Sequence, residues 1–310
     1  MKNLLVVLGP TGVGKTELSI ELATQFGSPI INADSRQLYR DLPIGTVAPT
    51  KEQQSRVKHY FVGTLGLDDY YSAARFEEEV MALLPSLFAT RDIVVMSGGA
   101  MLYIDAVCRG IDDIPSVDGE VRQMIRERYE AEGLEVLLSE LRLLDPIYYK
   151  EVDLRNTQRI IHALEICYST GRPFSSYRTN SPKQRPFNII KVGLDRPRPE
   201  LFTRINARVT QMLEDGWIEE AKRVLPYRAY NSLNTVGYKE LFKYLDKDWT
   251  LDFATARIAK NTRVYAKKQL TWFRKDETVR WFHPDNRAGI LKYISDQLST
   301  SDNQEADTEK

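Results

Sequence analysis

The chain has 310 residues, a hydrophobic fraction of 42% and a formal net charge of zero, values that fit one large globular domain or two moderate ones. No apolar run is long enough to span a bilayer and no signal-peptide apolar segment is present, so we expect a cytoplasmic protein without membrane association and, by default, a monomer. Cys108 and Cys167 are too few for a disulfide framework, and three scattered histidines do not indicate a metal cluster.

The first predicted elements are a strand, a glycine-rich loop and a helix. Leu4 to Leu8 is a short apolar run suited to a buried parallel strand. Apolar residues from Leu18 to Ala23 then recur on one side of a helix. The loop between them matches G-x-x-x-x-G-K-[ST] and reads Gly9, Pro10, Thr11, Gly12, Val13, Gly14, Lys15 and Thr16. We therefore expect a P-loop that binds phosphate through backbone N–H groups and Lys15, with Mg²⁺ on the Thr16 hydroxyl.

The alternation of strands and helices continues as far as about residue 109, with strands at 29–33 and 92–97 and a helix at 101–109. Between 113 and 185 strand-like runs vanish, and helical periodicity covers 121–132, 134–144 and 155–170. A strand at 187–194 precedes helices at 200–214, 218–224, 238–244 and 251–275, then a strand at 279–282 and a C-terminal helix.

These elements predict an α/β fold, with a P-loop NTPase-like parallel sheet core and an inserted all-α helical domain. We expect the core to be discontinuous, comprising residues 1–112 and 186–298, with the helical domain at 113–185. The polar residues 299–310 are expected to form a disordered tail.

The zero net charge conceals two basic segments. Residues 257–275 contain seven Lys or Arg and no acid, with Tyr265, Trp272 and Phe273 interleaved. Residues 156–191 contain several Arg and Lys against one acid, Glu165. Such patches favour a nucleic-acid partner, although either one alone also fits a solvated helix face.

A P-loop kinase or ATPase usually has an acidic residue at the end of a second apolar strand, where it holds Mg²⁺. Here the strand Ile93 to Met96 ends in Ser97-Gly98-Gly99, without a carboxylate. The acid at a strand end is Asp34, and strand ends of an open α/β sheet face the same crevice as the P-loop. Asp34 could steer Mg²⁺ through water, take a proton from a nucleophile, or simply cap a turn.

Several segments resemble the tRNA dimethylallyltransferase family, also called tRNA isopentenyltransferases, and they occur in the family's order along nearly the whole chain. They are the P-loop, Asp34-Ser35-Arg36-Gln37-Leu38-Tyr39, Ile44-Gly45-Thr46 with Pro49-Thr50, Gly98-Gly99 with Leu102-Tyr103, Gln158-Arg159, Leu201 through Arg208 with Met212-Leu213, Val236-Gly237-Tyr238, and Lys268 through Arg274.

The resemblance implies transfer of a dimethylallyl group from dimethylallyl diphosphate to N6 of an adenosine, usually at position 37 of a tRNA. The P-loop would then hold the diphosphate leaving group, and Asp34 would accept the proton of the amine. Lys15, Mg²⁺ on Thr16, and the candidate residues Arg204 and Arg208 would stabilise the departing diphosphate.

The resemblance also implies residues that contact the tRNA anticodon stem-loop. They are Asp34, Ser35, Arg36, Gln37, Ala100, Arg122, Gln158, Arg159, Ile160, Ile161 and His162. The chain departs from the family pattern at Ala100, where Thr is usual, and at His162, where Arg is frequent. Three other functions remain open from the residues alone: a small-molecule P-loop kinase, an adenylate isopentenyltransferase acting on free nucleotide, and a non-catalytic RNA-binding protein.

Overall fold

The computed structural model describes residues 1–179 and 181–308. The chain divides into two compact units. We call Met1–Arg109 together with the residues from Gln184 onward the core unit, and Gly110–Lys183 the helical unit. These boundaries lie two or three residues from those expected from the sequence.

The core unit is built on one parallel sheet with the strand order β3-β2-β4-β1-β5-β6. The strands are β1 (Asn3–Leu8), β2 (Ile30–Ala33), β3 (His59–Tyr60), β4 (Ile93–Gly98), β5 (Asn188–Leu194) and β6 (Arg280–Phe282). The sequence predicts all of these except β3, which is too short and too polar to give an apolar run. The carboxyl ends of β1 and β4 coincide because Leu8 is in register with Gly98.

Thirteen α-helices are formed by the described residues, and the helical unit contributes the fifth to the eighth. They are α1 (Lys15–Gln25), α2 (Lys51–Arg56), α3 (Ala73–Phe88), α4 (Met101–Arg109), α5 (Gly119–Glu132), α6 (Leu134–Leu144), α7 (Pro146–Glu151), α8 (Thr157–Thr170), α9 (Arg198–Glu214), α10 (Trp217–Val224), α11 (Tyr238–Leu245), α12 (Leu251–Phe273) and α13 (Arg287–Thr308). No helix is predicted from the sequence at the positions of α2, α3 or α7.

The central strand β1 separates the two hydrophobic layers of the core unit. Leu4, Val6 and Leu8 belong to one cluster of buried residues. Leu5 and Val7 belong to another. Successive side chains of a strand point to opposite faces, so β1 is buried on both sides, as expected for a parallel sheet covered by helices. The predicted fold class is confirmed.

The helical unit has its own hydrophobic core, to which α5, α6 and α8 contribute Ile125, Leu141 and Leu164. A buried carboxylate, Asp145, organises one end of this core. Its Oδ1 accepts hydrogen bonds from the N–H of Tyr148 (3.0 Å) and from the Ser175 hydroxyl (2.7 Å). A charge buried in this way needs such donors to offset its lost hydration.

The expected disordered tail requires a correction, because α13 continues to Thr308. No Gly or Pro follows Gly289, so nothing in the sequence interrupts the helix once the apolar residues Ile290 and Ile294 have anchored it in the core. Residues 309 and 310 lie outside the described part of the chain. Among the described helices, none is both long and apolar enough to cross a membrane.

Candidate active site at the P-loop

A cavity of about 1000 Å³ opens at the carboxyl edge of the sheet, and every residue that lines it belongs to the core unit. The P-loop lies between β1 and α1 and forms one side of the cavity. Asp34 after β2 and Gly99 after β4 form the adjacent side. The remaining walls come from α9 to α12 and from the loops at 45–47 and 234–236. This is the edge at which ligands bind in open α/β sheets.

The P-loop adopts a conformation that depends on its glycines. Gly9, Gly12 and Gly14 have φ values of +151°, +83° and +110°. A Cβ atom on Gly9 would lie 2.6 Å from the carbonyl oxygen of Leu194, which is too close for any side chain. The spacing of the motif therefore follows from backbone geometry, as the sequence predicts.

Two arginines hold the P-loop from α9 and the segment before it. Arg204 donates from Nε to the carbonyl of Gly12 (2.9 Å), and Arg196 donates from Nε to the carbonyl of Val13 (2.9 Å). The Arg208 guanidinium lies 3.4 Å from the Thr11 hydroxyl. Arg204 and Arg208, the candidate diphosphate stabilisers, therefore both lie at the loop. No role is predicted for Arg196 from the sequence.

The cationic groups at the loop are partly desolvated. The Lys15 ammonium donates to the carbonyls of Gly9 and Pro10, both at 2.9 Å. Burial lowers the pKa of Lys15 to about 8; the charge of Asp34 opposes this shift and that of Arg208 adds to it. Burial likewise lowers the pKa of Arg208, against the opposing charge of Asp34. A bound anion would stabilise both charges, so the site favours a phosphate-bearing ligand.

Asp34 combines a structural role with a position in the cavity. Its Oδ1 accepts the N–H groups of Arg36 (2.9 Å) and Gln37 (3.3 Å), so the carboxylate caps the turn that follows β2. Asp34 also lines the cavity, together with the exposed Thr16. Within the described residues the Thr16 hydroxyl has no hydrogen-bond partner, so it is available to a ligand.

The side chains of Arg36 and Gln37 are bound to the walls of the cavity. Arg36 donates to the carbonyl of Asn231 (2.8 Å), and Gln37 donates to that of Thr46 (3.0 Å). Both residues therefore hold the loops beside the cavity. Two more residues with predicted tRNA contacts lie in the same cavity, namely Ser35 and Ala100.

The other predicted tRNA contacts lie in the helical unit, Arg122 on α5 and the run 158–162 on α8. Glu165, whose side chain is 8% exposed, lies 3.8 Å from Arg122 and 3.5 Å from the ring of His162. The prediction needs a correction at Ile160 and Ile161, which are buried in the hydrophobic core of the unit. Helical periodicity turns these two side chains inward, and the exposed residues of the run are Gln158, Arg159 and His162.

Helix α12 supplies residues to the cavity that are not predicted from the sequence to lie there. Ile258, Tyr265 and Gln269 line the cavity and recur at spacings of seven and four residues, which places them on one side of the helix. Burial raises the pKa of Tyr265 to about 12, with a further contribution from Asp34. The opposite side carries part of the predicted basic patch, including the exposed Lys260 and Lys267. The helical period of this segment could have separated the side that lines the cavity from the basic side.

The cavity also has an apolar wall. Val209 and Met212 on α9, Trp217 at the start of α10 and Ile258 on α12 are all less than 10% exposed and line the cavity. Cationic groups at the P-loop thus face the same space as an apolar surface and a carboxylate. These features define a protein of the P-loop α/β class whose cavity suits a ligand with an anionic end and an apolar end.

Comparison with known proteins identifies the family. The model of the IPP transferase family matches residues 37–276. The tRNA dimethylallyltransferase 1 of Phocaeicola vulgatus is 60% identical over 292 residues, which cover 94% of this chain and 97% of that relative. The chain therefore belongs to the IPP transferase family, and the family and enzyme class that the sequence motifs predict are confirmed. The kinase and the non-catalytic RNA-binding alternatives are thereby excluded.

Solved structures support the same assignment. The tRNA isopentenylpyrophosphate transferase from Bacillus halodurans has a TM-score of 0.72 at 32% identity, over 99% of this chain and 100% of that chain. A eukaryotic dimethylallyltransferase acting on tRNA has a TM-score of 0.80 at 25% identity, over 96% of this chain and 80% of that chain.

Proposed function

We propose that this enzyme transfers the dimethylallyl group of dimethylallyl diphosphate to N6 of adenosine 37 in tRNA, and releases diphosphate. The observation that carries the proposal is the cavity itself, into which the P-loop, Asp34 and an apolar wall all open. The names of the relatives support tRNA as the acceptor.

The donor would bind with its diphosphate on the P-loop. The loop N–H groups, Lys15, Arg204 and Arg208 would neutralise the charge that develops as the C–O bond breaks. The dimethylallyl group would lie against the apolar wall that includes Met212 and Ile258. Burying its five carbons would contribute about 4 kcal/mol at roughly 0.8 kcal/mol per carbon.

The acceptor amine would approach from the side of Asp34. An exocyclic adenine amine is a weak nucleophile and must lose a proton as the C–N bond forms, which a nearby carboxylate can accept. The adenosine would leave its stack to enter the cavity, where Ser35, Arg36, Gln37 and Ala100 lie. Arg122, Gln158, Arg159 and His162 would contact the anticodon stem-loop through the helical unit.

The residues present fit a magnesium ion as cofactor. Within the described part of the chain, no group of three or more His, Cys, Asp or Glu could hold a metal ion, so a magnesium site would need ligands from the substrate. Thr16 would provide a hydroxyl oxygen, and Asp34 would act through water, which agrees with the preference of Mg²⁺ for oxygen ligands and phosphates. When bound, the ion would neutralise charge on the diphosphate.

The test is a transfer assay with labelled dimethylallyl diphosphate, Mg²⁺ and one of three acceptor conditions: unmodified tRNA, AMP, or none. We expect label on tRNA at a single adenosine, and no label on AMP. Label on AMP alone would instead establish the adenylate isopentenyltransferase that the residues alone leave open. Diphosphate release without any prenylated acceptor would contradict both.

A further inference from the structure

The Gln269 side chain on α12 bridges two neighbouring backbone segments of the cavity, the P-loop after β1 and Gly99 after β4. It is 2% exposed. Its Oε1 accepts the N–H of Thr11 in the P-loop at 2.9 Å, and its Nε2 donates to the carbonyl of Gly99 at 2.8 Å. These two bonds fix the orientation of the carboxamide. In the reverse orientation the NH₂ group would face the N–H of Thr11, and the oxygen would face the carbonyl of Gly99.

The two segments that Gln269 connects lie past the ends of their strands, where hydrogen bonds of the sheet no longer hold them together. The ladder between β1 and β4 ends at the pair Leu8 and Gly98, so the P-loop and Gly99 have left the sheet. The next residue, Ala100, donates its N–H to the carbonyl of Ala33 (3.1 Å), which directly precedes Asp34. One carboxamide therefore links the P-loop to the segment that is bonded to the backbone beside Asp34.

Gln269 is itself held in place by its helix. One turn further along α12, the Trp272 indole donates to Asp105 of α4 at 2.7 Å. The close packing leaves no spare room, since a Cβ on Gly99 would lie 2.5 Å from Nε2 of Gln269. The carboxamide suits this position because one planar group offers both the acceptor for Thr11 and the donor for Gly99.

We propose that Gln269 is a positioning residue that sets the separation between the diphosphate on the P-loop and the acceptor amine at Asp34. The inference rests on the proposed function, because it needs both substrates in this cavity. Gln269 touches neither reacting atom in this role. It fixes the distance over which the reacting carbon meets the amine, and an error of about 1 Å in such a distance can cost on the order of 100-fold in rate.

The test compares Gln269→Met, which keeps the length but loses both hydrogen bonds, with Gly99→Ala, whose methyl group displaces Nε2 while Gln269 remains. Gln54→Met on the exposed surface of α2 makes the same side-chain change away from the cavity. For each protein we would measure kcat, KM for both substrates, the thermal midpoint, and the ratio of diphosphate released to prenyl group transferred. That ratio exceeds one when water attacks the reacting carbon in place of the amine, giving dimethylallyl alcohol and diphosphate.

For Gln269→Met and Gly99→Ala we expect kcat to fall about 10- to 100-fold, with both KM values within about threefold of wild type and a ratio above one. Values like those of Gln54→Met, or a lower thermal midpoint with a ratio of one and an unchanged kcat per folded enzyme, would overturn the inference. If the wild-type protein prenylates no tRNA at all, the proposed function fails instead.

Discussion

Replacing Asp34 separates its proposed chemical role from its observed role in the turn. Asn retains an oxygen that can accept the N–H groups of Arg36 and Gln37, but it cannot accept a proton from the adenine amine. General-base catalysis contributes roughly 10²- to 10⁴-fold, which corresponds to about 3 to 5 kcal/mol of barrier. Asp34→Asn should therefore lose that factor in kcat while its thermal midpoint stays within about 2 °C of wild type.

Asp34→Ala should show the same loss in kcat as Asp34→Asn and should in addition lower the free energy of unfolding. Two backbone N–H groups lose their acceptor, which costs about 1 to 3 kcal/mol and lowers the midpoint by several degrees. Single-turnover transfer with saturating tRNA would give the rates, and scanning calorimetry would give the midpoints. Binding of tRNA should be unchanged or tighter in both variants, since a negative charge is removed from the site. A rate for Asp34→Asn within tenfold of wild type would refute the general-base assignment.

Three further outcomes follow from the site. Diphosphate affinity should fall as pH rises through about 8, where Lys15 loses its proton in the free enzyme, and Lys15→Met should flatten this dependence in a calorimetric titration. Met212→Ala should raise KM for dimethylallyl diphosphate roughly tenfold, because it removes about 1 to 2 kcal/mol of apolar contact, with steady-state kinetics as the measurement. His162→Arg should tighten tRNA binding a few-fold, because a guanidinium carries a permanent charge and more hydrogen-bond donors than an imidazole; filter binding would show this.

The parts of the fold that depend on local chemistry could be read from the sequence. The P-loop spacing is such a feature, since Gly9 must avoid the Leu194 carbonyl and no other residue can. Buried strands such as β1 also appear as apolar runs. Helix α2 could not be found in this way because none of its residues is buried, and its start depends on a capping box between Thr50 and Gln53. Helix α3, by contrast, has Phe76, Val80 and Leu84 at helical spacing, a signal that was available.

The site residues that were not predicted are those whose role depends on contacts between distant parts of the chain, which form only in the folded structure. Gln269 lies 258 positions from Thr11 along the chain. The helical period and the family segment Lys268 through Arg274 mark its surroundings, but neither indicates that its carboxamide meets the P-loop. Similarly, the resemblance identified 158–162 as a continuous run, whereas a helix exposes only some members of any run. Assigning residues by helical face would have separated the buried Ile160 from the exposed Arg159.

The zero net charge can be reconciled with a polyanionic substrate by asking where the acidic groups lie. Glu220, which is fully buried, accepts the N–H groups of Ile44 (2.9 Å) and Gly45 (2.7 Å). Its carboxylate therefore stabilises a loop of the cavity wall and does not face the solvent. Lys260 and Lys267 instead lie exposed on α12, the helix whose other side lines the cavity. Buried carboxylates surrounded by donors are screened from the solvent, while exposed ammonium groups attract phosphates over about a Debye length. The net charge gives buried and exposed groups the same weight, whereas an approaching RNA interacts mainly with the exposed ones.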